Sequence, residues 1–342
     1  MSRCIYTGDV LVPGDKALKL SHEHIVPLAL GGSNQFTTDD VSADANARAG
    51  NEIDDEVASL LPFLMLRHKY GLQGNRRTVP NVKLKGAFTD LSGALATLEI
   101  DPNANLSFLF QQEQTERGQL VSFNTTEDRI RFLLQARLKQ ARQRKLNIFT
   151  PFGQIQDEED IEIVLLLVER AEGKQFKASL TLDLAAFHFA VARLMIKIAI
   201  GLGHRVLGPS WTFSPSGDLL REGLWITQGS GKQPPIRGSL SDEIGHVLGP
   251  ILRITSDKHV MAVLPAGQQT SAIIALFGGE LGIGTVDLGI DTLALFENFG
   301  DEARGGCVFE IPLAGGVSQR PLVSRTLRQT ANEARQAGLL GP

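Results

Sequence analysis

The chain has 342 residues, two cysteines and a net charge of −4. That length predicts about two domains, and the charge and cysteine usage exclude a generally basic nucleic-acid coat and a disulfide framework. At 42% hydrophobic and 21% charged, the composition is that of a folded globular chain rather than a disordered one. Cys4 and Cys307 stand almost a chain apart, which fits a reducing, cytoplasmic setting. No apolar leader opens the sequence, so no membrane partner is expected.

Taken in order, "CIYTG", "DVLVPG" and "ALKLSHEHIV" are short apolar pieces broken by glycine and proline, as short strands and turns are. "TTDDVSADANARAG" predicts a helix capped by Thr38 or Asp39 and stopped at Gly50. "NEIDDEVASLLPFLMLRHKYG" predicts a second, with Ile53, Val57, Leu60, Leu61 and Leu64 on one face, kinked or split at Pro62. "GLQGNRRTVP" reads as a boundary. Beyond it, "LATLEI", "LSFLF" and "QLVSF" predict a strand meander. "TTEDRIRFLLQARLKQARQRK" predicts a basic amphipathic helix, and "IEIVLLLV" and "FKASLTL" two strands. Asp183 is placed to cap a long apolar helix running to about Leu207. Arg193 and Lys197 inside it make it a buried helix rather than a membrane span. "GDLLREGLWI" predicts a short helix, "HVMAVLP", "SAIIALFGG" and "GCVFEIPL" strands, and residues 327–336 a closing polar helix. The expected architecture is α+β, with a small domain over 1–79 and a larger mixed α+β domain over 80–342.

The chemistry gathers in "LSHEHIVPLALGG", residues 20–32. A strand ending in Glu23-His24, followed by a glycine-terminated loop and a helix, is able to return Asn46 over the strand. A carboxylate with an amide oxygen suits a hard divalent ion such as Mg²⁺ or Mn²⁺. An unligated imidazole beside it is the side chain that takes a proton from water near neutrality. Metal and base together are equipment for cutting a phosphodiester.

These residues, "EHIVPLALGG…ADAN…G", resemble the HNH (ββα-metal) endonuclease motif. The continuation to residue 80 is similar to a bacterial subfamily with an "EHIIP…LGG" core. The resemblance covers roughly residues 4 to 80. It implies an N-terminal ββα-metal domain, Glu23 and Asn46 as metal ligands, His24 as general base, and double-stranded DNA as substrate. Arg48, close by on the same predicted helix, is our own addition as a phosphate contact. Many members of that subfamily hold a zinc ion with two CxxC pairs. Here the pairs read "CIYT" (Cys4, Thr7) and "SADA" (Ser42, Ala45), so no structural zinc is expected. No asparagine stands about fourteen residues past His24, where the middle Asn of the motif would fall, and Asn34 is the nearest.

The remaining features admit plainer readings. His22 shares a strand face with His24, as an exposed neighbour or as an extra metal ligand. Arg67, Lys69, Arg76 and Arg77 form a basic segment after the second helix and are candidates for DNA contact. The run from Arg129 to Lys145 is a weaker candidate, because charge runs on helices are usually solvated faces. Arg193, Lys197 and His204 fall on one stripe of the apolar helix. Such a stripe ordinarily meets acids or water at the edge of a core, and a phosphate site is the sharper alternative. "QGSGKQ" at 228–233 lacks the spacing and the Ser or Thr of a phosphate loop. Cys307 reads as a buried strand residue. The expected function is a metal-dependent DNA endonuclease. The alternatives are a defence nuclease switched by a small-molecule activator bound to a C-terminal sensor, and a DNA-binding module with a decayed site. A homodimer stays open.

Overall fold

The structure is a computed structural model, and it describes residues 2–74, 77–88, 95–103, 105–110, 114–115, 118–120, 127–144, 147–150, 153–171, 176–178, 183–239, 248–266, 269–289 and 306–321. The fold is mixed α+β. The chain opens with a turn held by the Arg3–Val10 bridge; the short strands expected there reduce to that bridge. Strand β1 (Leu20–His24) pairs antiparallel with β2 (Thr37–Ser42), and α1 (Ala43–Ala49) follows directly. The helix therefore begins later than expected. Residues 37–42 are strand, and Ser42 is the cap, its Oγ accepting from the Ala45 N–H. Gly50 does not stop it either: its backbone is right-handed helical, and a π-turn over Gly50–Asp54 carries the chain into α2 (Asp55–Ser59). The break expected at Pro62 is present. Leu60 is extended, with ψ 135, and α3 (Leu61–Lys69) starts afresh with proline in its first turn, where the missing N–H costs nothing.

A second compact unit spans Pro80–Leu182. Strands β3 (Val82–Phe88), β4 (Leu95–Ile100) and β5 (Leu106–Phe110) form the meander, and β6 (Gln114–Thr115) and β7 (Gly118–Leu120) begin a second sheet. Helix α4 (Glu127–Arg144) is the basic helix. Strands β8 (Asn147–Thr150) and β9 (Gly153–Ile155) complete the second sheet, and β10 (Phe176–Ala178) joins β3. "IEIVLLLV" is a helix, not a strand, within α5 (Glu158–Ala171). Asp157 Oδ1 accepts from the Glu159 and Asp160 N–H groups, and three acids occupy the first turn, where the helix dipole favours them. Ile161, Val164 and Leu165 are buried while Ile163 and Leu166 are exposed, a helical spacing hidden inside an apolar run.

The chain then returns to the first unit, which comprises Met1–Val79 with Asp183–Pro342. The expected single domain over 80–342 is thus divided, and its second part shares one hydrophobic core with the N-terminal segment. The spine of this unit is α6 (Leu184–Thr212), capped by Asp183 and broken at Gly208, whose φ is 80. It is the one helix among the described residues long and apolar enough to cross a membrane, and it is mostly buried within the unit. After α7 (Pro215–Leu224) comes a six-stranded antiparallel sheet. Its strands are β11 (Arg237–Ser239), β12 (Lys258–Ala266), β13 (Gln269–Ala275), β14 (Ile283–Gly289), β15 (Cys307–Pro312) and β16 (Ser318–Pro321), in the order β11-β14-β13-β12-β15-β16. Cys307 is buried in β15. The closing helix expected over 327–336 lies outside the described residues.

Candidate functional site

Strand β1 sets the site by alternation. His22 and His24 emerge on one face, their rings edge to face with centroids 5.5 Å apart. Glu23 points the other way and is 4% exposed. The loop after the strand is tightly specified. Gly31 has φ 90, and a Cβ at Gly32 would lie 1.8 Å from the Val26 carbonyl oxygen, so neither position admits a side chain without rebuilding the loop. His259 on β12 anchors the loop from behind: its Nε2–H donates to the Leu30 carbonyl at 2.8 Å, and its Nδ1 accepts from the Phe277 N–H. Burial pushes the His259 imidazole down to about 4 against the pull of the Leu30 carbonyl, so it stays neutral.

The loop brings Asn34 to His24. The His24 Nε2–H donates to Asn34 Oδ1 at 2.9 Å, which orients the ring and leaves Nδ1 for a proton. His22 Nδ1–H donates to Asp39 Oδ1 at 2.8 Å across the hairpin. From α1, Asn46 Nδ2 donates to Ser21 Oγ and to the His22 carbonyl, pinning helix to strand. A cleft of about 490 Å³ opens here, lined among others by His22, Glu23, His24, Asn46, Asn51 and Asp54. Asp54 reaches it because of the π-turn. In a continuous α-helix the residue seven on from Asn46 would return to its face; the extra residue of a π-turn passes that place to the eighth.

Behind Glu23 stands Lys197 of α6, wholly buried. Its ammonium lies 2.5 Å from Glu23 Oε1, 2.8 Å from Asp54 Oδ1 and 2.7 Å from Asp54 Oδ2. Tyr6 OH donates to the same Glu23 oxygen. Helix α6 comes this near because Gly201, one turn on, has no side chain to meet Ile25: a Cβ there would lie 3.0 Å from Ile25 Cγ1. Burial alone would pull the Lys197 ammonium down, yet the Asp54 and Glu23 carboxylates outweigh it and hold it above its ordinary value. Burial pushes the Asp54 carboxyl up to about 6, opposed by Lys197 and reinforced by the Glu23 charge. Burial, then Glu23, raise the Tyr6 phenol.

The stripe on α6 therefore meets acids throughout. Arg193 lies 3.6 Å from Glu52 and 3.5 Å from Glu56, Lys197 takes Glu23 and Asp54, and His204 Nε2 donates to Asp40 at 3.1 Å. Every one of these acids lies in the first 56 residues. The sequence showed the stripe, but not which carboxylates it would find.

Of the other expected residues, Arg48 is spent on Glu52 at 3.0 Å and on the Trp225 ring at 4.1 Å, and it does not line the cleft. Arg67 donates to the Ala58 carbonyl. Lys69 pairs with Glu280 at 2.7 Å, and Tyr70 OH donates to the same oxygen. Arg77 is exposed, and Arg76 lies outside the described residues. On the second basic segment, Arg131 is paired with Glu162 and Lys145 is outside the description. Two of the four positions compared above with the CxxC pairs adjoin, the Ser42 N–H donating to Cys4 Sγ at 3.3 Å; nearby, the Trp225 indole N–H donates to the Tyr6 carbonyl.

The donors here are oxygens, which suits Mg²⁺ or Mn²⁺ in kind. They do not fit such an ion in this arrangement, because Glu23 Oε1 and both Asp54 oxygens already close on an ammonium. Among the described residues, no three His, Cys, Asp or Glu side chains are grouped to hold a metal. A separate pocket of about 810 Å³ lies between Phe187, Val191 and Met195 of α6, the Gln228–Gln233 loop and Ile283. Compared with known proteins, the chain matches no family model, no curated protein and no solved structure.

Proposed function

We propose that the protein is an HNH-type endonuclease that hydrolyses phosphodiester bonds of double-stranded DNA, with His24 as its general base. The observation that carries this reading is the cleft itself. His24 is oriented through Nε2 by Asn34, Asn46 clamps the same strand, and the strand–loop–strand–helix order matches that of the motif's residues. His24 Nδ1 takes the proton of a water whose oxygen attacks phosphorus. The 3′-oxygen departs and is protonated, leaving 5′-phosphate and 3′-hydroxyl ends. Holding base, water and phosphate in one cleft converts the encounter into an in-place reaction.

The test is cleavage of supercoiled plasmid by purified wild type and His24→Ala, across salt, pH and added divalent ions. Cutting by wild type that His24→Ala lacks supports the assignment. Intact plasmid with both proteins rejects a constitutive nuclease. A second reading, a nuclease switched by a small molecule, is favoured by the α6 pocket, whose volume suits a small ligand. Under it, cutting starts only when a metabolite extract is added; an unchanged rate counts against it.

A further inference from the structure

The feature that the proposed reaction leaves unused is Lys197. An ammonium carries three N–H donors and no acceptor, and Lys197 directs all of them to two carboxylates: one to Glu23 Oε1 and two to the oxygens of Asp54. It has no exposed surface, and the helix that bears it is fixed on both sides. One turn earlier, Arg193 donates to the Leu224 and Glu52 carbonyls. One turn later, Gly201 packs on Ile25. The lysine is therefore built into the wall.

We propose that Lys197 is the resident cation of this cleft. Its ammonium takes the place at Glu23 and Asp54 that a divalent ion would otherwise take, and it acts as a positioning residue for both carboxylates. An ammonium and a divalent ion do not readily share these three oxygens at 2.5–2.8 Å, since like charges that close repel. Glu23 is thereby withdrawn from metal binding and becomes part of the strand's inner support. With one positive charge answering two carboxylates, the floor of the cleft keeps a residual negative charge. Removing the lysine would leave both carboxylates without a cation and open the place to a metal ion. The inference rests on the cleft being the reaction site, but its test does not depend on cleavage.

The experiment is Mn²⁺ titration of the full chain, followed by calorimetry or by the loss of the free-ion paramagnetic signal. Wild type and Glu23→Gln are expected to bind Mn²⁺ alike, within twofold. Lys197→Met is expected to gain at least tenfold in Mn²⁺ affinity, and the added Glu23→Gln substitution to abolish that gain. A tenfold or greater loss of wild-type Mn²⁺ binding on Glu23→Gln overturns the proposal, as does a folded Lys197→Met that binds no more tightly than wild type. Should Lys197→Met fail to fold, the comparison of wild type with Glu23→Gln decides alone. Absence of plasmid cleavage would remove the nuclease reading and leave these binding outcomes intact.

Discussion

The two faces of β1 carry adjacent residues into opposite environments. Outward, His22 and His24 stand in a cleft, with His22 about half exposed and paired only across the hairpin. Inward, Glu23 is sealed against a fully buried lysine and a tyrosine. The outer face has side chains held by single hydrogen bonds and open to the cleft. The inner face has charges whose removal leaves partners stranded in a low-dielectric wall. A three-residue motif thus divides between an open face and a buried one, and the period of the strand decides which residue lies on which.

The largest effect is expected from breaking the inner face. Lys197→Met strands two carboxylates and is expected to cost about 3–5 kcal/mol in denaturant unfolding; a loss under about 1 kcal/mol would show that the pair is not buried as described. On the outer face, His24→Ala is expected to lower the cleavage rate about 10²–10⁴-fold, with its unfolding midpoint nearly unmoved. A parallel collapse of stability would erase the distinction between the faces.

The loop that joins the two faces gives a third test. His259 has an ordinary value of 6.5 and is pushed to about 4 in the fold, so the unfolded chain binds its proton first. Its contribution is present above pH 6.5 and is lost as pH falls toward 4, by about 3 kcal/mol in all. His259→Leu is expected to flatten wild type's acid destabilisation across that window, and an unchanged pH slope would refute the assignment. The smallest effect concerns the helix that faces the strand. Ser42→Ala removes the α1 cap and is expected to cost about 1 kcal/mol in thermal unfolding.

Local signals in the sequence served well where a single residue fixes the backbone. Pro62 split its helix, Asp183 capped α6, and the glycine pair after the histidines marked a loop that nothing larger fits. They failed where the decision was tertiary. "IEIVLLLV" carries β-branched residues and becomes a helix because Asp157 caps it and one of its faces is buried. Gly50 has the look of a stop and instead begins a π-turn that brings Asp54 into the cleft. The stripe of Arg193, Lys197 and His204 was legible as charge seeking acids. Its partners lie 143 residues back for Lys197 and 164 for His204, beyond the reach of any periodicity. The same long range hid the division of the chain. No local pattern says that residues 183 onward will share a core with the first 79.

That interrupted unit has a consequence for how the protein comes into being. The histidine motif leaves the ribosome well before its completing partners, for its floor is a lysine at 197 and its loop anchor a histidine at 259. Some 100 residues of the Pro80–Leu182 unit are synthesised in between. Closing such distant contacts is slow and follows the local structure. Synthesis itself therefore acts as a timer: the histidine motif is made first, and the cleft closes around it only after residues 197 and 259 have followed.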